Sequence, residues 1–307
     1  MRKDLFLGIL AGLLAGALWG IVFVVPKILT AYSAADIAFG RYVVFGFISA
    51  TLLVPHAGRI RKTTTWPIVL SALGLSCLSF SVYYFVLAAS IKFSGVAPVS
   101  LIIGLLPITI PVFSKDKVVN PKLFGFSLTA ILAGLIVLNL PLIQDALVTQ
   151  VPLENQIIGI CLAIVALGLW TAFALLNGKF LKRHPEINSS IWSSLLGVSA
   201  FLTSLPLWFL FNIPNETKDL TRFLNPAYGL CMIVIGLGSS WIATYLWNIA
   251  SRRIPAAVAG QLIVSETLFA LLYNYIYNWQ IPNVSEFCAA LLLISGVVFG
   301  IRSFRQS

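Results

Sequence analysis

Residues 261–272 read QLIVSETLFALL, and the acid in the middle, Glu266, has mostly apolar residues for about three turns on either side. A run of this kind, about 20 residues long, is what crossing the hydrocarbon core of a bilayer requires. An acid at the bilayer centre costs roughly 2.5–3.5 kcal/mol, so it turns toward a cavity or a partner rather than lipid. The other carboxylates of the chain lie in or near polar segments. The reading of this stretch therefore sets both the fold class and the question of what Glu266 faces.

Composition places the rest of the chain around it. Of 307 residues, 59% are hydrophobic and 10% charged, with a mean hydropathy of +0.96. A soluble domain is about 25% charged, so this is an all-α integral membrane protein. The apolar runs have the length of helices and not the short alternating pattern of a barrel. The net charge of +10 reads as basic loops held on one side of the membrane and not as a nucleic-acid surface. Cys77, Cys161, Cys231 and Cys288 fall singly inside apolar runs, so neither a metal site nor a disulfide framework is expected. The MRKD start resembles a signal peptide, but the apolar run after it is too long for one and reads as a retained first helix.

Ten spans emerge. The first five are 5–29, 35–54, 67–91, 95–113 and 123–140; the second five are 157–180, 191–211, 227–250, 256–278 and 284–301. The longest gap, 141–156, separates two halves taken as 1–145 and 153–307. With the N-terminus inside, the inner segments hold Arg2, Lys3, Arg59, Arg61, Lys62, Lys115, Lys117, Lys122, Lys179, Lys182, Arg183, Arg252, Arg253, Arg302 and Arg305. The outer ones hold only Lys27, Lys92, Lys218 and Arg222, and Arg41 lies within the second span. This asymmetry puts both termini in the cytoplasm.

The halves repeat. A shift of 161 positions maps Ser79 onto Ser240, Tyr84 onto Tyr245, Leu101-Ile102 onto Leu262-Ile263 and Pro121 onto Pro282. Trp19 maps onto Trp170 at a shift of 151. Five helices per repeat is an odd number, so the second repeat enters the membrane upside down, an arrangement of secondary transporters whose sites lie near the midplane between repeats.

Several side chains stand out on helical faces. Gly12, Gly16 and Gly20 recur every four residues, a spacing that lets two helices approach closely. Trp19, beside Gly20, is either core filler or cavity wall. Trp170 shares a face with Ala163, Ala166, Ala174 and Asn177, and Asn177 bonds either a neighbouring carbonyl or a cavity ligand. Trp241, Tyr245, Asn248 and Arg252 form a stripe whose polar members are unsuited to lipid; the related third span presents Tyr84, with Tyr83 beside it. Pro107 and Pro111 interrupt the fourth span as a static kink or a gate. Arg41 pairs with Asp36, reaches the surface or attracts a carboxylate. For Glu266 three readings compete: a hydrogen bond to a neighbouring helix, a contact to an ammonium-bearing substrate, or a carboxyl that takes up and releases a proton during transport. His56 and His184 sit in basic loops, and the chain has no phosphate loop, nucleophile elbow or metal cluster, so no enzyme chemistry is expected.

GLLAGALWGIVFVVPKIL with FGRYVVFGFISATLL, then YYFVLAASIKFSGVAPVSLIIGLLPI and YLWNIASRRIPAAVAGQLIVSETLFALL, resemble the EamA family of the drug/metabolite transporter superfamily, as do the tails KLFGFSLTAILAGLIVL and EFCAALLLISGVVFGI. The sequence departs from that family's frequent Glu-Pro in the ninth helix, having Glu266-Thr267. The resemblance implies the drug/metabolite transporter fold: ten helices, two inverted five-helix repeats and a central cavity. On it we expect a bacterial inner-membrane secondary transporter, working by alternating access and exporting amino acids or related metabolites, with protons as a candidate coupling ion and no cofactor. Trp19, Tyr83, Tyr84, Trp170, Asn177, Trp241, Tyr245, Asn248 and Glu266 are the expected substrate contacts. A lipid-linked sugar flippase is the alternative, and a membrane scaffold or lipid-processing enzyme the more distant one.

Overall fold

The computed structural model describes residues 2–58, 60, 64–148, 151–212 and 220–304. Among them, ten helices are long and apolar enough to cross a membrane: α1 (Lys3–Ile28), α2 (Ala34–His56), α3 (Trp66–Ser94), α4 (Val96–Phe113), α5 (Pro121–Gln144), α6 (Leu153–Arg183), α7 (Ser189–Leu210), α8 (Pro226–Arg253), α9 (Ala256–Asn278) and α10 (Val284–Ser303). Each overlaps an expected span. The gap expected over 141–156 is mostly helical instead: the helix that begins at Pro121 runs on through Pro141 to Val148. The first turns are fixed locally. Ser33 and Asp36 form a reciprocal cap on α2, and Asn283 and Glu286 form another on α10.

One contact displays the repeat. α5 packs along α10 with Gly134 against Leu293 and Gly296 against Ile131. Each helix thus offers a glycine to a branched side chain lying three residues before the partner's own glycine. α2 and α7 also approach closely through glycines, Gly46 against Phe201 and Gly197 against Ser49 and Phe45, without that register. A reciprocal contact like that of α5 and α10 is what a two-fold relation between halves produces.

The glycine stripe of α1 lies on α9. Gly12 meets Leu262; a methyl group on Gly16 would stand 2.9 Å from the Glu266 backbone nitrogen, and one on Gly20 2.8 Å from that of Ala270. The two backbones touch, and this fixes the height and rotation of the Glu266 turn.

Four helices lose regularity near mid-membrane, in matching places of the two halves. α3 breaks at Phe80, between Ser79 and Ser81. α8, its counterpart, passes through π-helix over Val234–Ile242. α4 breaks at Gly104–Leu105, just ahead of Pro107, whose ring nitrogen has no hydrogen to donate. α9 breaks at Ile263, where the Glu266 N–H bonds back only three residues, to the Ile263 carbonyl at 2.9 Å. Between the breaks and the end bearing Asp116 and Arg253, hereafter the basic end, α4 and α9 cross tightly: a methyl on Gly260 would lie 2.6 Å from Ile110 Cβ. At the same end the Asp116 carboxylate accepts the Ala257 N–H at 2.8 Å. Beyond the breaks the helices part, α4 toward α5 and α6, α9 toward α1.

Candidate functional site

Glu266 belongs to the half of α9 beyond the break. Its side chain is half-buried, and no hydrogen bond to it forms among the described residues. The Arg41 guanidinium of α2 acts on it electrostatically, and Tyr83 of α3 stands in the same field. α9 packs chiefly on α1, on α10 and on the basic-end half of α4. The coupling to α2 and α3 therefore crosses the interior, and Glu266 points into the bundle.

Arg41 is held in place from α8. Its Nε donates to Ser240 Oγ at 2.6 Å and its Nη2 to the Ser239 carbonyl at 3.0 Å. The π-helical turn presents that carbonyl to the arginine. The pairing of Arg41 with Asp36, one of its expected readings, does not form: Asp36, wholly buried, accepts from Arg222 Nη2 at 2.8 Å. Arg222 lies 186 positions along the chain and its ring contacts with Tyr32 and Phe223 hold it there.

Three tryptophans from three helices cluster in the interior. Trp19 meets Trp170 edge-on at 5.8 Å and Trp247 at 5.4 Å, and Trp170 lies 5.7 Å from Trp247. Phe173 extends the cluster toward Phe80 at the α3 break. Two polar atoms on this part of α8, Trp247 Nε1 and Thr244 Oγ1, are buried and find no partner among the described residues. Buried polar atoms are nearly always satisfied, and such exceptions gather where a ligand or water binds. Neither residue is an expected contact in the sequence. They lie beside the stripe Trp241, Tyr245, Asn248, whose Trp241 and Asn248 bond the neighbouring Ser194 and Ser193 of α7.

The remaining expected residues separate into distinct groups. Trp241 stacks on Tyr245, with ring centroids 5.6 Å apart, and donates to Ser194 Oγ at 2.9 Å. Asn177 and Asn248, both fully buried, are engaged in a chain across three helices. Trp192 Nε1 donates to Asn177 Oδ1 at 2.8 Å, Asn177 Nδ2 to Asn248 Oδ1 at 2.9 Å, and Asn248 Nδ2 to Ser193 Oγ at 2.9 Å. In this conformation the two amides tie α6, α7 and α8 together toward the basic end. Tyr84 donates to the Ala34 carbonyl at 2.8 Å and tethers α3 to the start of α2. Tyr83 alone of the two tyrosines shares the interior with Glu266.

Among the described residues ten membrane-length helices, four of them irregular near mid-membrane, surround the interior that holds Glu266, and the chain belongs to the EamA-like transporter family, which matches residues 6–140 and 157–302. It is 32% identical to the inner membrane protein YtfF of Escherichia coli strain K12, over 96% of this chain and 95% of that protein. An uncharacterized transporter of Haemophilus influenzae is 25% identical over 37% of this chain and 62% of that protein. A crystal structure with 17% identity superposes with a TM-score of 0.75, covering 96% of this chain and 97% of the other, so the fold is shared.

Proposed function

We propose that the protein is a secondary transporter that exports amino acids, or closely related zwitterions, across the inner membrane by alternating access. The observation that carries this reading is Glu266: an interior acid without a hydrogen-bond partner among the described residues, within electrostatic reach of the Arg41 guanidinium. An acid and a base facing one interior space offer complementary partners to an ammonium and a carboxylate on the same small molecule. Tyr83 and the tryptophans around Trp170 add apolar wall for its side chain.

With the basic end in the cytoplasm, the α4–α9 crossing at Gly260 closes the cytoplasmic side, and the parting of the same helices beyond their breaks leaves the opposite side for release. Proton uptake by Glu266 provides the coupling: protonation releases the ammonium, and deprotonation accepts the next one.

The test is uptake of a labelled amino-acid panel into inside-out vesicles, with and without a proton gradient. At least one panel member is taken up, faster with the gradient, and Glu266→Gln lowers its rate more than tenfold and removes the gradient dependence. Uptake of no panel member sinks the amino-acid reading, and an unchanged rate in Glu266→Gln sinks the role of the acid.

A further inference from the structure

On the flank of the bundle at its basic end, α3 and α6 border a groove of ≈ 700 Å³. Ile68, Leu75 and Leu78 of α3 and Leu176 of α6 line it, and next to Gly74 the space is open: a methyl group there would meet nothing within 4 Å. Thr65 opens the groove and Leu78 ends it, 13 residues of helix, or about 20 Å along α3. It therefore runs from the membrane surface well into one leaflet.

The charged groups at its mouth are Lys179, Arg183 and His184. His184 is engaged, its Nδ1 lying 2.8 Å from Glu186 Oε1. The Glu186 carboxyl is held below its usual range, first by a backbone hydrogen bond and then by His184, so the acid here stays ionised and occupied. Lys179 and Arg183 are exposed, and neither has an ion pair or hydrogen bond among the described residues. Exposed Trp66, at the start of α3, stands where amphipathic rings settle at headgroup level.

We propose that this groove binds one anionic phospholipid, with its phosphate on Lys179 and Arg183 and one acyl chain lying along α3 past Gly74. Two free cations at the rim of an apolar slot match a headgroup carrying net negative charge over a chain. A free phosphate would use the cations and leave the apolar floor uncovered. Basic pockets between membrane helices on the positively charged side hold anionic headgroups by the same physics. The site is separate from the interior around Glu266 and does not depend on what is transported.

The full-length protein in detergent, titrated with phosphatidylglycerol or phosphatidylcholine and followed by native mass spectrometry, tests it. The wild type retains one phosphatidylglycerol and releases phosphatidylcholine. Lys179→Ala with Arg183→Ala weakens phosphatidylglycerol retention about 30-fold, two cations being lost from the headgroup. Gly74→Phe, which fills the groove and leaves both cations in place, weakens it as much at an unchanged melting temperature, and it carries the test alone if the double variant folds poorly. Equal retention of the two lipids, retention unaffected by Gly74→Phe, or displacement of the lipid by millimolar inorganic phosphate each overturns the proposal.

Discussion

At the scale of single residues, the interior divides into polar groups that are engaged and polar groups that are not. Asn177 and Asn248 look alike in sequence to Glu266, being polar side chains in apolar helices, but their amides bond each other, Trp192 and Ser193. Asn248→Leu therefore strands Asn177 Nδ2 in a dry setting, while Ser193 Oγ keeps its bond to the Ser189 carbonyl. The orphaned group costs about 1–3 kcal/mol, and thermal melting in detergent should show the loss. A melting temperature equal to wild type would mean that these amides do not hold α6, α7 and α8 together. Glu266 is different: no hydrogen bond to it forms among the described residues, so its presence in the interior adds nothing to the folded state by this route. Its position was legible in the sequence because an acid amid apolar residues is conspicuous. Trp247 and Thr244 were not, since a tryptophan and a threonine in an apolar helix read as ordinary packing residues.

At the scale of elements, the α1–α9 seam is set by the absence of side chains. Gly16→Leu drives a branched side chain into the α9 backbone, where overpacking costs typically 1–3 kcal/mol and more when backbone must move. Gly168→Ala, at a glycine with nothing within 4 Å, should be neutral or stabilise α6 by about 0.5–1 kcal/mol through helix propensity. Expression and melting of the two variants separate these cases, and equal behaviour would refute the close approach. The glycine spacing made this seam legible, although not its partner helix. Pro107 likewise marked the irregularity of α4. The matching break in α9 has no proline, and nothing local to Ile263 announces it. The link from Asp36 to Arg222 joins positions far apart in the chain that no periodicity relates, and so the sequence pointed to the adjacent Arg41 instead.

At the scale of the whole molecule, apolar length gave the ten spans, and the basic residues gave their expected direction through the membrane. Alternating access predicts that the α4–α9 crossing at Gly260 opens during each cycle while other contacts stay shut. In a background free of the four native cysteines, Gly260→Cys cross-linked to Ile110→Cys should lower transport at least tenfold, with recovery on reduction. Gly134→Cys cross-linked to Leu293→Cys should leave the rate within about twofold of the uncross-linked protein, both estimates resting on which contact must separate in a rocking of one repeat against the other. Inhibition by both would mean that the halves move as no such pair. The reason for the difference lies in the reciprocal glycines of α5 and α10. If the opposite state is reached by each half adopting the shape its twin had before, a contact that is its own counterpart maps onto itself. α5 and α10 are then the stationary axle of the exchange, and the pair can be as tight as folding requires without slowing the traffic beside it.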